Sequence, residues 1–315
     1  MVDHMKTKLF AEIQPAAHGW LAVGNGHQLH WQASGNPEGM PVVWLHGGPG
    51  SSASPLHRRF FDPAFFWIVQ YDQRGCGRSL PAGAIEHNET SYLLADIERL
   101  REHLSIPKWS VVGGSWGGAL ALLYAQAHPD RVDRMLCRSP FLCTQAEIEN
   151  FMEHPPEGCR ELWDALRSQV PNNPQQTVLE FGYRVFCLEN DVQKQAQLAQ
   201  AWATYEAAMN VYPMQAPAIG LGSPDALISR YRVQSHYLWH RCFVGPNILA
   251  QAHRISEIPL TLVHGDTDAL CPFENSLNIQ RTVAQANLIR VAGGGHDLTD
   301  PGMLGATFQA LTSWR

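Results

Sequence analysis

Five short runs in this chain are apolar at nearly every position, and each leads into a glycine-containing loop. They are PVVWLHGGPG (41–50), WIVQYDQRGCGRS (67–79), WSVVGGSWGG (109–118), PLTLVHGD (259–266) and NLIRVAGGGH (287–296). A strand with one wet face alternates apolar with polar residues. A strand apolar throughout needs cover on both faces, as in a parallel sheet between helical layers. The intervening segments supply that cover. SYLLADIERLREHL (91–104) carries apolar residues at helical spacing with acids opposite, and GALALLYAQAHP (118–129) predicts a helix ending before Pro129. VDRMLCRSP (132–140) is a further strand, and WLAVGNGHQLHWQA (20–33) predicts a hairpin turning at Gly-Asn-Gly. Helices are expected between the last two strands and at 303–314. The fold class is therefore α/β, a mostly parallel sheet with helices on both faces.

The pattern breaks between about 143 and 250. AEIENFMEHPPEG, RELWDALRSQV, QTVLEFGYRVFCLEN, QLAQAWATYEAAMN and PDALISRYRVQSHYLWHRCF are all helix-like. Strands then return, so these helices interrupt one sheet rather than follow it. The expected division is a core of residues 1–142 and 251–315 with an inserted helical domain at 143–250.

With 315 residues, 45% of them hydrophobic, the chain can bury a large core, and its net charge of −6 with no long basic run argues against a nucleic-acid surface. No apolar stretch approaches the ~20 residues that span a bilayer. The first 20 residues lack an apolar signal core, so a cytoplasmic protein is expected. Cys76, Cys137, Cys143, Cys159, Cys187, Cys242 and Cys271 are odd in number and form no C-x-x-C pair, which suits small buried hydrophobes in a reducing compartment.

Chemistry concentrates in the loops. Gly113-Gly114-Ser115-Trp116-Gly117 matches G-x-S-x-G and lies between a predicted strand and a predicted helix, the context this motif requires. A sharp strand-to-helix turn lifts the serine clear of the sheet, and the helix N-terminus offers N–H groups to a developing oxyanion. Ser115 is the candidate nucleophile. It needs a base, and the base needs an orienting acid. His296 follows the last strand in a loop after three glycines and is the candidate base. Asp266 and Asp268 both follow the preceding strand and both remain open as the acid, whereas Asp297 reads as a solvated loop residue. The backbone N–H of Trp116 and that of Gly48, or of Gly47, in HGGPG are the expected oxyanion donors.

The sequence resembles the prolyl aminopeptidase (proline iminopeptidase) family of α/β-hydrolases from about Gly24 to the C-terminus. The residues that carry the resemblance are GNPEGMPVVWLHGGPG, DQRGCGRS (72–79), DIERLREHL, GGSWGG, YAQAHPDRV, AWATYE (201–206), HGDTDALCP (264–272) and GGGHD. It implies removal of an N-terminal proline from a small peptide without cofactor or metal. Ser115 would attack, His296 would act as base and then acid, and Asp268 rather than Asp266 would orient it. A helical cap would enclose the proline. In the family, cap glutamates hold the substrate's free amino group, and Glu206 matches one of them. Trp202, four residues earlier, would share its helix face and wall the proline ring. Gln234 stands where the family usually has a second glutamate, which removes one charge from amine recognition.

Two other readings stand beside this one. A serine esterase or amidase could use the same scaffold with its cap repurposed, and a non-catalytic binding protein could use a hydrolase fold. The Ser-Asp-His set speaks against the latter, and an epoxide hydrolase or dehalogenase would want a carboxylate at position 115. His236 and His240, four apart, lack a third metal ligand and are expected to pack or hydrogen-bond. Arg74 and Arg78 are expected to fix their loop near the site entrance.

Overall fold

The computed structural model describes residues 8–171, 173, 175–213, 222–245 and 247–315; the opening residues 1–7 of the N-terminal segment lie outside it. Strands β1 (Ala17–Gly24) and β2 (His27–Gly35) form the expected hairpin. Next come β3 (Met40–Leu45), the single-turn α1 (Pro55–Arg58), β4 (Phe66–Tyr71), α2 (Thr90–His103), β5 (Trp109–Gly114), α3 (Trp116–Ala127) and β6 (Val132–Arg138). After a helical stretch the chain resumes with β7 (Leu260–Gly265), α9 (Glu274–Thr282), β8 (Asn287–Val291) and α10 (Pro301–Thr312). The described strands form one sheet in the order β1-β2-β4-β3-β5-β6-β7-β8. β1 pairs antiparallel with β2 and β2 with β4, and every pair from β4 to β8 is parallel.

The central strands show why they are apolar throughout. Val43, Leu45 and Val111 point into one core, packed with α2, α3 and α9. Val42, Trp44 and Val112 point into the other, against Phe60, Phe61 and the Met303–Trp314 side of α10. Successive side chains of a strand face opposite ways, so each position must be apolar when both faces are covered.

Between β6 and β7 the described residues contain no strand. The helices there are α4 (Gln145–Glu153), α5 (Arg160–Arg167), α6 (Val178–Tyr183), α7 (Val192–Val211) and α8 (Pro224–Trp239). Thr144 opens α4 with a capping box, its side chain accepting from the Glu147 N–H while Glu147 accepts from the Thr144 N–H. Asp191 and Ser223 cap α7 and α8 in the same way from one side. α7 and α8 lie against each other, joined by a tilted ring contact between Trp202 and Tyr231.

Candidate active site

Ser115 sits at the crossing from β5 into α3 with φ 56° and ψ −124°, a left-handed conformation that costs energy for a residue with a Cβ. The flanking glycines explain how the turn closes. A Cβ on Gly113 would collide with the carbonyl of Gly117, and a Cβ on Gly117 would collide with the carbonyl of Leu45 at the end of β3. The turn is pinned by the Ser115 N–H donating to the carbonyl of Arg138 at 2.9 Å. The Arg138 side chain, buried, donates to the carbonyl of His296. One residue of β6 thus ties the serine's turn to the histidine's loop.

Ser115 and His296 line the same cavity, about 580 Å³ in volume, bounded by Gly47, Gly48, Phe141, Phe151 and the inner faces of α7 and α8. His296 Nδ1 lies 2.8 Å from Asp268 Oδ2. Asp268 Oδ1 accepts from the backbone N–H groups of Leu270 and Cys271 at 3.0 and 2.9 Å. Burial pushes the Asp268 carboxyl up. The facing His296 and hydrogen bonds from His264 and His296 outweigh that and hold it well below the usual carboxylate range. The carboxylate can therefore keep the imidazole oriented with its Nδ1 protonated. Asp266 is committed elsewhere: it pairs with Arg290 at 2.8 Å and accepts from the Gly293 N–H. Asp297 lies on the cavity lining beside His296. Ser115 Oγ contacts Cys271 Sγ at 3.9 Å, and among the described residues it forms no hydrogen bond with His296.

The loop after β3 approaches the serine closely, Gly47 lying against the Gly114 carbonyl and the Ser115 Cβ. Among the described residues nothing accepts the N–H of Gly48 or of Trp116. Gln73 joins the two loops that carry these groups. Its N–H donates to His46 Nε2 at 3.0 Å, its amide nitrogen donates to the His46 carbonyl at 2.8 Å, and its amide oxygen accepts from Trp116 Nε1 at 3.0 Å. The rest of DQRGCGRS holds that arrangement. Arg74 pairs with buried Asp96 through two bonds of 2.6 and 2.8 Å, and Asp72 accepts from the N–H groups of Ala53 and Arg78. Neither Arg74 nor Arg78 lines the cavity.

Glu206 on α7 and Gln234 on α8 both face the cavity, 2.7 Å apart across a hydrogen bond. Trp202 does not line it, which corrects the expectation that it walls the site. The ring is fully buried behind Tyr231 and Phe186, because α7 presents that part of its face to the helices packed on it. Tyr231, Phe141, Phe151 and Leu227 supply apolar lining instead. His236 meets the carbonyl of Asn88, and His240 meets the carbonyl of His236. Among the described residues no cluster of His, Cys, Asp and Glu could hold a metal.

Four lining or supporting residues escaped sequence reasoning: Gln73, Arg138, Arg230 and His264. Gln73 lay inside a quoted motif, so its position carried a signal although its contacts did not. His264 opens HGDTD; its Nε2 sits 2.9 Å from the Cys271 carbonyl and 3.5 Å from Asp268 Oδ2.

The known proteins that resemble this chain agree with its architecture. A family model described as alpha/beta hydrolase fold matches residues 40–301. A proline iminopeptidase of Arabidopsis thaliana is 37% identical over 95% of this chain and 80% of its own length. One from Xylella fastidiosa (strain 9a5c) is 36% identical over 97% of this chain and 99% of its own. One from Neisseria gonorrhoeae is 37% identical over 95% and 96%. Among solved structures, an alpha/beta hydrolase enzyme from a Medee basin deep-sea metagenome library superposes with a TM-score of 0.65 at 15% identity, covering 94% of this chain and 97% of that one. An esterase from Rhodococcus sp. ECU1013 does so with a TM-score of 0.62 at 15% identity, covering 94% and 98%. No helix among the described residues is long and apolar enough to cross a membrane. At more than a third identity over nearly its whole length, the chain belongs to the proline iminopeptidase family of α/β-hydrolases.

Proposed function

We propose that this chain is a serine aminopeptidase that releases N-terminal proline from small peptides. The observation that carries the reading is the strained Ser115 sharing a cavity with His296, whose Nδ1 is held by a buried carboxylate. Residues 143–250 act as a cap over a core formed by 1–142 and 251–315.

Ser115 Oγ attacks the carbonyl carbon of the substrate's first residue while His296 Nε2 takes its proton. The carbonyl oxygen becomes an oxyanion and accepts from the N–H of Trp116 and of Gly48, or of Gly47. The C–N bond then breaks, and the leaving amine takes the proton from His296. Water attacks the resulting ester, with His296 again accepting and returning a proton, and the acyl group leaves as a free acid. Glu206 and Gln234 supply oxygens that can accept from a ring nitrogen. The seven cysteines are all unpaired, which supports a cytoplasmic location.

The test compares a proline arylamide with its N-acetylated form. The free amine should turn over faster, and equal rates would instead favour the esterase or amidase reading. That second reading has an observation of its own, because Glu206 already has an internal cation beside it. Ser115→Ala should abolish turnover of both substrates; full activity in that variant would remove the serine mechanism.

A further inference from the structure

The carboxylate that would receive a substrate's ammonium is occupied from within the chain. Glu206 Oε2 accepts from Arg230 Nη2 at 2.9 Å and from Tyr231 Oη at 2.7 Å, and Oε1 accepts from Gln234 Nε2 at 2.7 Å. All four residues line the cavity. Arg230 and Gln234 are one turn apart on α8, so both reach across to the same point on α7. The pocket therefore presents a compensated ion pair, where a lone carboxylate would present a net negative charge.

The pair is built to open. The Glu206 side chain is 14% exposed and that of Arg230 is 36% exposed. Arg230 stands on the wall between the cavity and a second groove lined by Gly50, Ser51, Asp225 and Ser229. The Arg230 carbonyl packs against Gly50, where a Cβ would collide with it, so separation of the pair falls to rotation of the long side chain. Two buried polar atoms beside the pair, Arg230 Nε and Gln234 Oε1, have no hydrogen-bond partner among the described residues. A protonated pyrrolidine ring nitrogen carries two N–H donors, and these match one oxygen of Glu206 together with Gln234 Oε1.

We propose that Arg230 is a specificity-determining residue whose guanidinium stands in for the substrate's ammonium, so that a free-amine substrate binds by displacing Arg230 from Glu206. The inference rests on the cavity being the acyl pocket of the proposed reaction. Exchanging one cation for another returns little net Coulomb energy at a half-wet site. The pocket thus discriminates weakly between an ammonium and a neutral ring of the same shape, and removing Arg230 restores the discrimination.

The experiment measures inhibition of the hydrolysis of a simple ester, which does not require aminopeptidase activity. The inhibitors are L-prolinamide and its uncharged isostere cyclopentanecarboxamide, each with the wild type and with Arg230→Met, Arg230→Gln and Arg230→Lys. The ratio of the prolinamide to the cyclopentanecarboxamide inhibition constant isolates the charge. It should fall about fivefold in the Met and Gln variants, the upper worth of a partly exposed ion pair, and stay near the wild-type value in the Lys variant. An unchanged ratio in both neutral variants, or an equal fall in Arg230→Lys, overturns the proposal. Equal wild-type rates on free and acetylated proline arylamides would remove the aminopeptidase reading but leave this ratio interpretable.

Discussion

Gln73 offers a perturbation whose size follows from the structure. It is buried and spends its amide on two partners in different segments, the His46 carbonyl of the loop after β3 at 2.8 Å and Trp116 Nε1 at the start of α3 at 3.0 Å. Gln73→Leu keeps the volume and strands both partners away from water. Each buried group left unpaired costs about 1–3 kcal/mol, so the variant should lose roughly 2–6 kcal/mol of the 5–15 typical of a folded domain. It should remain folded in water, with an earlier midpoint in urea. The catalytic effect is separable. The two ties set the spacing between the Gly47–Gly48 backbone and the Trp116 N–H, and such donors act only when held about 2.7–3.1 Å from the oxyanion. Loosening the loop without deleting a donor should lower kcat on a simple ester about ten- to a hundredfold, with KM little changed. Gln73→Glu keeps an acceptor for Trp116 but turns a carboxylate oxygen on the His46 carbonyl, and it should lose as much. A Gln73→Leu enzyme destabilised by the expected amount yet within twofold of the wild-type kcat would refute the link between this tie and the chemistry. Unaltered urea stability would refute the hydrogen-bond accounting itself.

Asp268→Asn should leave the fold intact by circular dichroism but cut kcat on a simple ester by about 10³- to 10⁴-fold, because an amide no longer holds the imidazole in the required tautomer; a loss under tenfold would contradict that role. Gly117→Ala drives a methyl group into the Leu45 carbonyl, a backbone atom that cannot yield cheaply, and should cost about 3 kcal/mol or more in urea denaturation. His236 is lowered by burial from 6.5 to about 4, against the opposing pull of the Asn88 carbonyl. A lowered folded-state value means that stability is full above pH 6.5 and drains as pH falls towards 4. Urea denaturation should therefore show about 2 kcal/mol less stability from this group at pH 5 than at pH 7. His236→Gln, which keeps a donor for Asn88, should flatten that slope; an unchanged slope would remove His236 from the account.

How much of this was legible depended on how local the determining interactions are. The apolar runs were readable as doubly covered strands because successive apolar residues of β3, β5 and β7 feed two different cores. Ser115 and His296 stood out as candidates because each stands in a loop after its own strand. Spacing left the choice between Asp266 and Asp268 open, since two residues leave both within reach, and the family resemblance alone favoured Asp268. What separates them is solvent: Asp266 turns out to Arg290 while Asp268 turns in beneath His296. Trp202 failed for the complementary reason. Its four-residue spacing from Glu206 fixes a common face of α7 but not which part of that face α8 and Phe186 cover. Arg230 was invisible for the same reason, because its partner lies on another helix.

The geometry of the site depends on a register that no single loop encodes. Gly114 pairs with Arg138, Arg138 with Val263, Val263 with Ile289, and Gly265 with Val291. Ser115, Asp268 and His296 all leave the sheet just beyond these paired positions. A slip of one residue in a single ladder would shift one of them by ~3.3 Å along the strand and turn its strand's alternate faces into the wrong core. The hydrophobic penalty for such a slip therefore guards the spacing of the three proposed catalytic residues too. Arg138 adds a polar lock to the same register, its backbone carbonyl on the Ser115 N–H and its guanidinium on the His296 carbonyl. The apolar strands that made the fold readable are also what bring three distant loops together at one end of the sheet.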